Sequence, residues 1–225
     1  ALKAPIASPV FTGNVGVGVT PSTSTITTLQ GVWGTVSGWA NNLGLMNNAV
    51  YNVGDKYINT DEASKIELAD GTLKFKVAPS GSADAAISWT TAMTIDNAGI
   101  VTKPLQPAFQ ARTAQVANLP INQTYTVPYG TEVFDQNADY NPATYTFTAP
   151  VTGKYQLNAS IYLNNVVVAS GYVEFYIATS NKNYYSILSV NGFDTDLLYF
   201  TMPHTVLADM DAGDTASVDV YQYTG

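Results

Sequence analysis

Three segments follow one another near the middle of the chain: Tyr129-Gly-Thr-Glu-Val-Phe-Asp135, Tyr140-Asn-Pro-Ala-Thr-Tyr-Thr-Phe147 and Gly153-Lys-Tyr155-Gln-Leu157. Aromatic residues recur at set offsets around one Asp, a turn marked by Pro142 and a turn marked by Gly153. Just beyond, Tyr155, Leu157, Ala159, Ile161 and Leu163 alternate with Gln156, Asn158, Ser160 and Asn164, and Tyr162 is the exception. A period of two is the pattern of a sheet with one buried face.

The same pattern extends outward. Strands are expected at Phe109 to Arg112, Tyr125 to Val127, Tyr145 to Phe147, Tyr155 to Leu163, Tyr172 to Ile177, Tyr184 to Val190, Leu197 to Thr201 and Ala216 to Tyr221. Branched and aromatic side chains suit a pleated, half-buried surface. Short strands at regular spacing, separated by turn residues, predict a β-sandwich. The nearest approach to a helical pattern, Trp39 to Tyr51, is rich in Asn and Gly and does not support a helix.

Upstream, Ile66 to Leu68 and Leu73 to Val77 flank Asp70-Gly71. Asp-Gly supplies the positive φ angles of a tight hairpin turn. Further strands are expected at Ile87 to Trp89 and at Met93 to Ile95, before a turn at Asp96 to Gly99. Lys103-Pro104-Leu-Gln-Pro107 reads as a linker. Residues 1–30 carry too many Pro and Gly for a regular element, and read as an extended arm ordered by packing on other chains. The expected organisation is all-β: an arm over 1–30, a β-rich shaft or collar over 31–103 and a sandwich head over 104–225. Trp33, Trp39 and Trp89 each need a large burial partner, which packing between subunits would supply.

Composition narrows the function. The 225 residues carry a net charge of −8, and the nine Lys and Arg are scattered singly. No basic stripe exists, so no nucleic-acid partner is expected. The apolar run Val166 to Ala169 is far shorter than the ~20 residues of a spanning helix, so no membrane insertion is expected. No Cys is present, hence no disulfide and no thiolate metal site. Residue 1 is Ala and no charged-then-apolar leader follows, so the chain is expected to be a piece of something longer.

The spaced residues Tyr129, Asp135, Tyr140, Phe147, Gly153, Tyr155 and Leu157 resemble the signature of the jelly-roll heads of complement component q and tumour necrosis factor. Pro107-Ala-Phe109-Gln-Ala-Arg112 is similar to the first head strand, and Ala212-Gly-Asp214 with Val218 and Val220 to the penultimate one. Tyr129 and Leu157 stand where the family has Phe, and Ala159 replaces an aromatic and removes bulk. The family's last strand has no counterpart before Gly225, so a continuation of the chain is expected. Leu2 to Gly13 and Ala86 to Gly99 resemble shaft and pre-tip segments of bacteriophage tail fibres. These resemblances imply a homotrimer in which Phe109, Tyr129, Phe147, Tyr155 and Leu157 serve core or interface. They imply a virion location, other tail or virion proteins at the N-terminal end, and non-covalent attachment to a host surface glycan or protein. A head fibre or capsid decoration protein is the alternative, followed by a bacterial adhesin.

No catalytic residue is expected. His204 is the sole His and follows Pro203 in an apolar stretch, where a structural hydrogen bond is the plain reading. No Gly-x-Ser-x-Gly elbow occurs. Gly16-Val-Gly18 lacks the third Gly of a dinucleotide fingerprint. Paired carboxylates occur, but a glycosidase needs two that converge. Asp194 with Asp196, and Asp209 with Asp211 and Asp214, are loop carboxylates of the kind that could hold calcium, although neither set matches an EF-hand. Asn122 and Asn158 fall in glycosylation patterns by chance. Tyr162, Tyr184, Tyr185, Tyr221 and Tyr223 are candidates for surface recognition, because Tyr offers stiff contact area with a polar tip. Receptor contact is assigned to Tyr184 and Tyr185, with Asp194 and Asp196.

Overall fold

A computed structural model describes residues 27–30, 34–39, 42–51 and 54–224. The expected arm lies almost wholly outside the described residues, as does Trp33. The chain divides into two compact units at Pro104 and Leu105.

The first unit contains β1 (Thr27–Gln30), β2 (Gly34–Trp39), β3 (Asn42–Asn47), β4 (Ala49–Tyr51), β5 (Asp55–Tyr57), β6 (Asp61–Ala69), β7 (Thr72–Gly81), β8 (Thr90–Ile95) and β9 (Val101–Thr102). Seven of these form one antiparallel sheet in the order β1-β2-β3-β6-β7-β8-β9, and β4 pairs with β5. The β6–β7 hairpin turns on Asp70 at φ 49° and Gly71 at φ 73°. Both left-handed residues match the twist of the flanking strands.

The sheet's two faces are reversed from the usual pattern. Small apolar residues, Ala63, Ala69 and Ala78, share one face with the buried Lys65 and Glu67. That face is covered by Tyr57, Ala85, Ile87 and Trp89. Lys65 pairs with Asp55 at 3.0 Å and with Glu67 at 2.8 Å, and Lys76 pairs with Glu67 at 2.6 Å. Desolvation pulls Lys65 down, but its two carboxylate partners outweigh it and hold the ammonium above its ordinary value. Burial likewise opposes ionisation of Glu67, yet bonds from Lys65 and Lys76 hold it below the usual carboxylate range.

Ile87 to Trp89 is not a strand, contrary to the sequence expectation. Ala86 makes a single bridge to Lys56, the Ile87 N–H donates to the Asp55 carbonyl, and Trp89 Nε1 donates to Asp55 Oδ2 at 2.7 Å. The segment's polar groups are therefore spent on β5 and not on a ladder. Trp89 finds its partners within its own chain.

The second unit is a jelly-roll β-sandwich. Its strands are β10 (Phe109–Arg112), β11 (Thr124–Thr126), β12 (Thr131–Asp135), β13 (Tyr140–Asn141), β14 (Thr146–Thr148), β15 (Gly153–Val166), β16 (Tyr172–Thr179), β17 (Asn183–Ser189), β18 (Leu197–Met210) and β19 (Thr215–Tyr223). One layer runs β13-β14-β19-β16-β17, with β11 also on β19. The other consists of β15 paired with β18, and β10 paired with β12. Two apolar clusters fill the interior. One surrounds Phe175 and Val190, both 0 % exposed, and the other surrounds Phe147, Ala208 and Met210.

The aromatic segments knit one end of this core. The Phe109 ring stacks on Tyr140 at 4.7 Å and on Phe147 at 5.2 Å, and Phe147 meets Tyr155 at 5.4 Å. Leu157 is buried, and Ala159 packs against both clusters. Asp135 does not face the core as a charge. Its carboxylate accepts the N–H groups of Asp139 and Tyr140, which fixes the loop between β12 and β13.

Among the described residues β15 has no ladder partner besides β18, and β10 none besides β12. A cleft of about 1150 Å³ lies between these edges, lined by Phe109, Ala111, Val127, Leu157, Ala159 and Ile161 among others.

Candidate functional site

The outward face of the β14-β19-β16-β17 layer follows the alternation of its strands, although two of its members, Tyr176 and Asp219, are themselves covered, at 5 % and 7 % exposure. Val173, Phe175 and Ile177 of β16 point into the core, so Tyr172, Glu174 and Tyr176 point out. On β19, Val218 and Val220 pack inward and Asp219, Tyr221 and Tyr223 point out. On β17, Tyr185 and Ile187 point out and are 50 % and 61 % exposed.

Register brings these side chains together. Tyr172 stands opposite Tyr223, Glu174 opposite Tyr221 and Tyr176 opposite Asp219. On the other side of β16, Glu174 stands opposite Ile187 and Tyr176 opposite Tyr185. Glu174 is thus ringed by aromatic and apolar groups. Tyr172 stacks on Tyr223 at 4.9 Å and lies 6.3 Å from Tyr221, and Tyr176 lies 4.8 Å from Tyr185.

The hydrogen bonding leaves capacity for a ligand. The Tyr176 hydroxyl meets Thr124 Oγ1 at 3.1 Å. Asp219 is 7 % exposed, and its Oδ1 finds no partner among the described residues. Burial raises the Tyr176 hydroxyl, partly offset by the bond from Thr124, and the charges of Asp219 and Glu174 push the same way as burial. Desolvation, then Glu174 and the neighbouring Tyr residues, raises Tyr172. The Tyr172 and Tyr176 hydroxyls are therefore held in the neutral form, able to donate. Stiff aromatic area with fixed hydroxyls and two carboxylates suits polar ligands that carry C–H faces and hydroxyl groups.

The residues expected from sequence are distributed otherwise. Tyr184 and Tyr185 are adjacent on β17 and point to opposite sides. Tyr184 packs on the core, with Lys182 Nζ 5.3 Å from its ring, and only Tyr185 joins the outward face. Asp196 Oδ1 accepts the Val168 N–H at 2.9 Å and so serves a connection, while Asp194 sits exposed in a bend. Asp209 pairs with Lys154 at 3.0 Å. Asp214 Oδ2 accepts from Asn181 at 2.5 Å and from the Asp211 N–H at 2.8 Å, and Asp211 Oδ1 accepts from Thr152. Among the described residues no three acidic or His side chains converge as a metal site would require. His204 Nε2 contacts the Tyr184 carbonyl at 3.0 Å, and its ring lies edge-on to Phe175. Tyr162 stacks on Tyr199 at 5.6 Å, on the outer side of the β15–β18 pair. Trp39 lies in β2, but its side chain is outside the described residues.

Sequence reading passed over Tyr172, Glu174, Tyr176 and Asp219. Their signal was present: Tyr172, Glu174 and Tyr176 alternate with the buried Val173, Phe175 and Ile177, and Asp219 sits between Val218 and Val220. What could not be read was the register that sets Glu174 beside Tyr221 and Ile187.

No family model matches this chain, and no curated protein matches it. Among solved structures it is similar to the globular domain of zebrafish complement 1qA protein, at 16 % identity and a TM-score of 0.41, over 53 % of this chain and 83 % of that one.

Proposed function

We propose that this protein attaches a virion to its host surface without a covalent step, as the homotrimeric receptor-binding part of a bacteriophage tail fibre. The observation that carries the binding role is the face centred on Glu174, where five Tyr residues, Glu174 and Asp219 share one sheet surface. The ligand is a carbohydrate chain. Tyr rings pack against sugar C–H faces, and the carboxylates accept sugar hydroxyls. The net charge of −8 disfavours polyanions. The tail-fibre assignment draws support from the shaft-like segments Leu2 to Gly13 and Ala86 to Gly99. Three linked copies of a weak site raise overall avidity by about 10²–10⁴-fold.

The test is an array of surface carbohydrates probed with the intact chain. Retention on at least one carbohydrate class is expected, and retention on none overturns the reading.

A further inference from the structure

Among the described residues of the first unit, the seven-stranded sheet has one face covered and one face bare. The bare face is apolar. Val36 of β2, Leu45 of β3, Ile66 of β6 and Phe75 of β7 stand opposite one another in sequence, a continuous row across four strands. A second row runs Leu43, Leu68, Leu73 and Ile95. Val36, Leu43, Leu45, Leu68 and Val77 are 39–46 % exposed. Of the charged groups on the same strands, Lys65, Glu67 and Lys76 are on the opposite face and form ion pairs with one another. The bare face is also concave, with a hollow of about 590 Å³ lined by Val36, Leu45, Ile66, Phe75 and Val77 among others.

We propose that this face is where copies of the chain meet, so that the first unit has its own self-association surface. Two rows across five strands, at about 4.8 Å between strands and about 7 Å between same-face residues, cover roughly 350 Å² in projection. That is the scale of the dry centre of an interface that buries about 800 Å² per partner with its rim. Two features favour a second copy over another partner. The two charged residues that reach the hollow's lining, Lys65 and Lys76, are committed to Glu67, so the patch offers no free charge by which a different protein could be selected. Nothing on it repels an identical patch, whereas the rest of a chain of charge −8 would repel its like. A sheet whose apolar residues face outward while its ion pairs are covered is stable when that outward face is covered too. The inference rests on the oligomeric part of the proposed function and not on carbohydrate binding.

The absence of Cys makes the test clean. Leu45→Cys is introduced into the full chain, with Val36→Cys as a second probe and Asp70→Cys, in the exposed hairpin turn, as the reference. Maleimide labelling of the intact protein is expected to be at least tenfold slower at Leu45→Cys and Val36→Cys than at Asp70→Cys. A short bis-maleimide is expected to join two chains at the slow positions. Labelling at the reference rate overturns the proposal. So does slow labelling without chain-to-chain product, because another cover then occupies the face. Neither readout involves a carbohydrate, so failure here is distinguishable from failure of receptor binding.

Discussion

Tyr176 and Asp219 are direct cross-strand partners on β16 and β19, and the Asp219 carboxylate keeps one oxygen, Oδ1, without a hydrogen-bond partner. A carboxylate 7 % exposed with an unpartnered oxygen costs folding free energy unless something else uses it. Asp219 lies at the edge of the ring around Glu174, and in the proposed binding role a ligand hydroxyl would supply the missing donor.

Asp219→Asn should therefore separate stability from binding. Removing a poorly compensated buried charge should stabilise the second unit by about 1 kcal/mol, seen as a rise of about 4 °C in Tm. Carbohydrate binding should weaken at least tenfold in the same variant. A variant that loses stability would show that Asp219 is a structural carboxylate.

The ion-pair network of the first unit should be sensitive to both truncation and pH. Lys65→Met leaves Glu67 and Asp55 without their buried cation and should cost about 3 kcal/mol. Glu67 is held low in the folded state, so its contribution is present above the unfolded value of about 4.3 and is lost as pH falls through the lower folded value. Lys65 is held high, so its contribution is present below about 10.4 and is lost as pH rises through the higher folded value. All three Trp residues lie before Pro104, so Trp fluorescence reports this unit alone. Denaturation midpoints followed by that signal should form a plateau between about pH 5 and pH 10.

Two tyrosines at the aromatic end of the second unit should titrate late. Burial pushes Tyr129 up to about 12, and burial with nearby Tyr residues pushes Tyr140 up to about 12. The Tyr140 hydroxyl donates to the Tyr129 carbonyl at 2.8 Å, and the Tyr129 hydroxyl donates to the Ser160 carbonyl at 2.9 Å. A raised folded value means stability that is complete below about pH 10 and lost as pH climbs towards 12. Ultraviolet titration of the native protein should show a late component near pH 12 from this pair. Replacing Tyr129 by Phe should remove one of that pair.

The open edge of β15 should appear in hydrogen exchange. Of its fourteen residues, the N–H groups directed to β18 should be protected, and the alternate ones, directed into the cleft, should exchange much faster. Uniform protection along β15 would mean that the cleft is filled in solution.

Much of this fold was legible because alternation survives wherever one face is covered. Tyr155 to Leu163 read correctly as a half-buried strand, and Asp70-Gly71 as a hairpin turn. Two features were not legible. Alternation cannot say which face is covered: Leu73, Phe75 and Val77 lie on the open side, and the ion pairs lie beneath the cover. Tyr184 and Tyr185 were expected to act as one recognition pair, although adjacent residues of a strand point to opposite faces, and register, which alternation does not give, decides what each one meets. Tyr172, Glu174 and Asp219 went unnoticed because their meeting depends on strands more than forty residues apart in sequence.

Binding by the face around Glu174 is tested most directly by comparing the intact chain with a Tyr172→Ala, Tyr221→Ala double variant on the carbohydrates that the intact chain retains. Both tyrosines lie outside the core clusters, so the fold should persist, as circular dichroism and solution mass would verify. The expected result is a loss of affinity of at least tenfold with fold and mass unchanged. Equal affinity in the two proteins would contradict it.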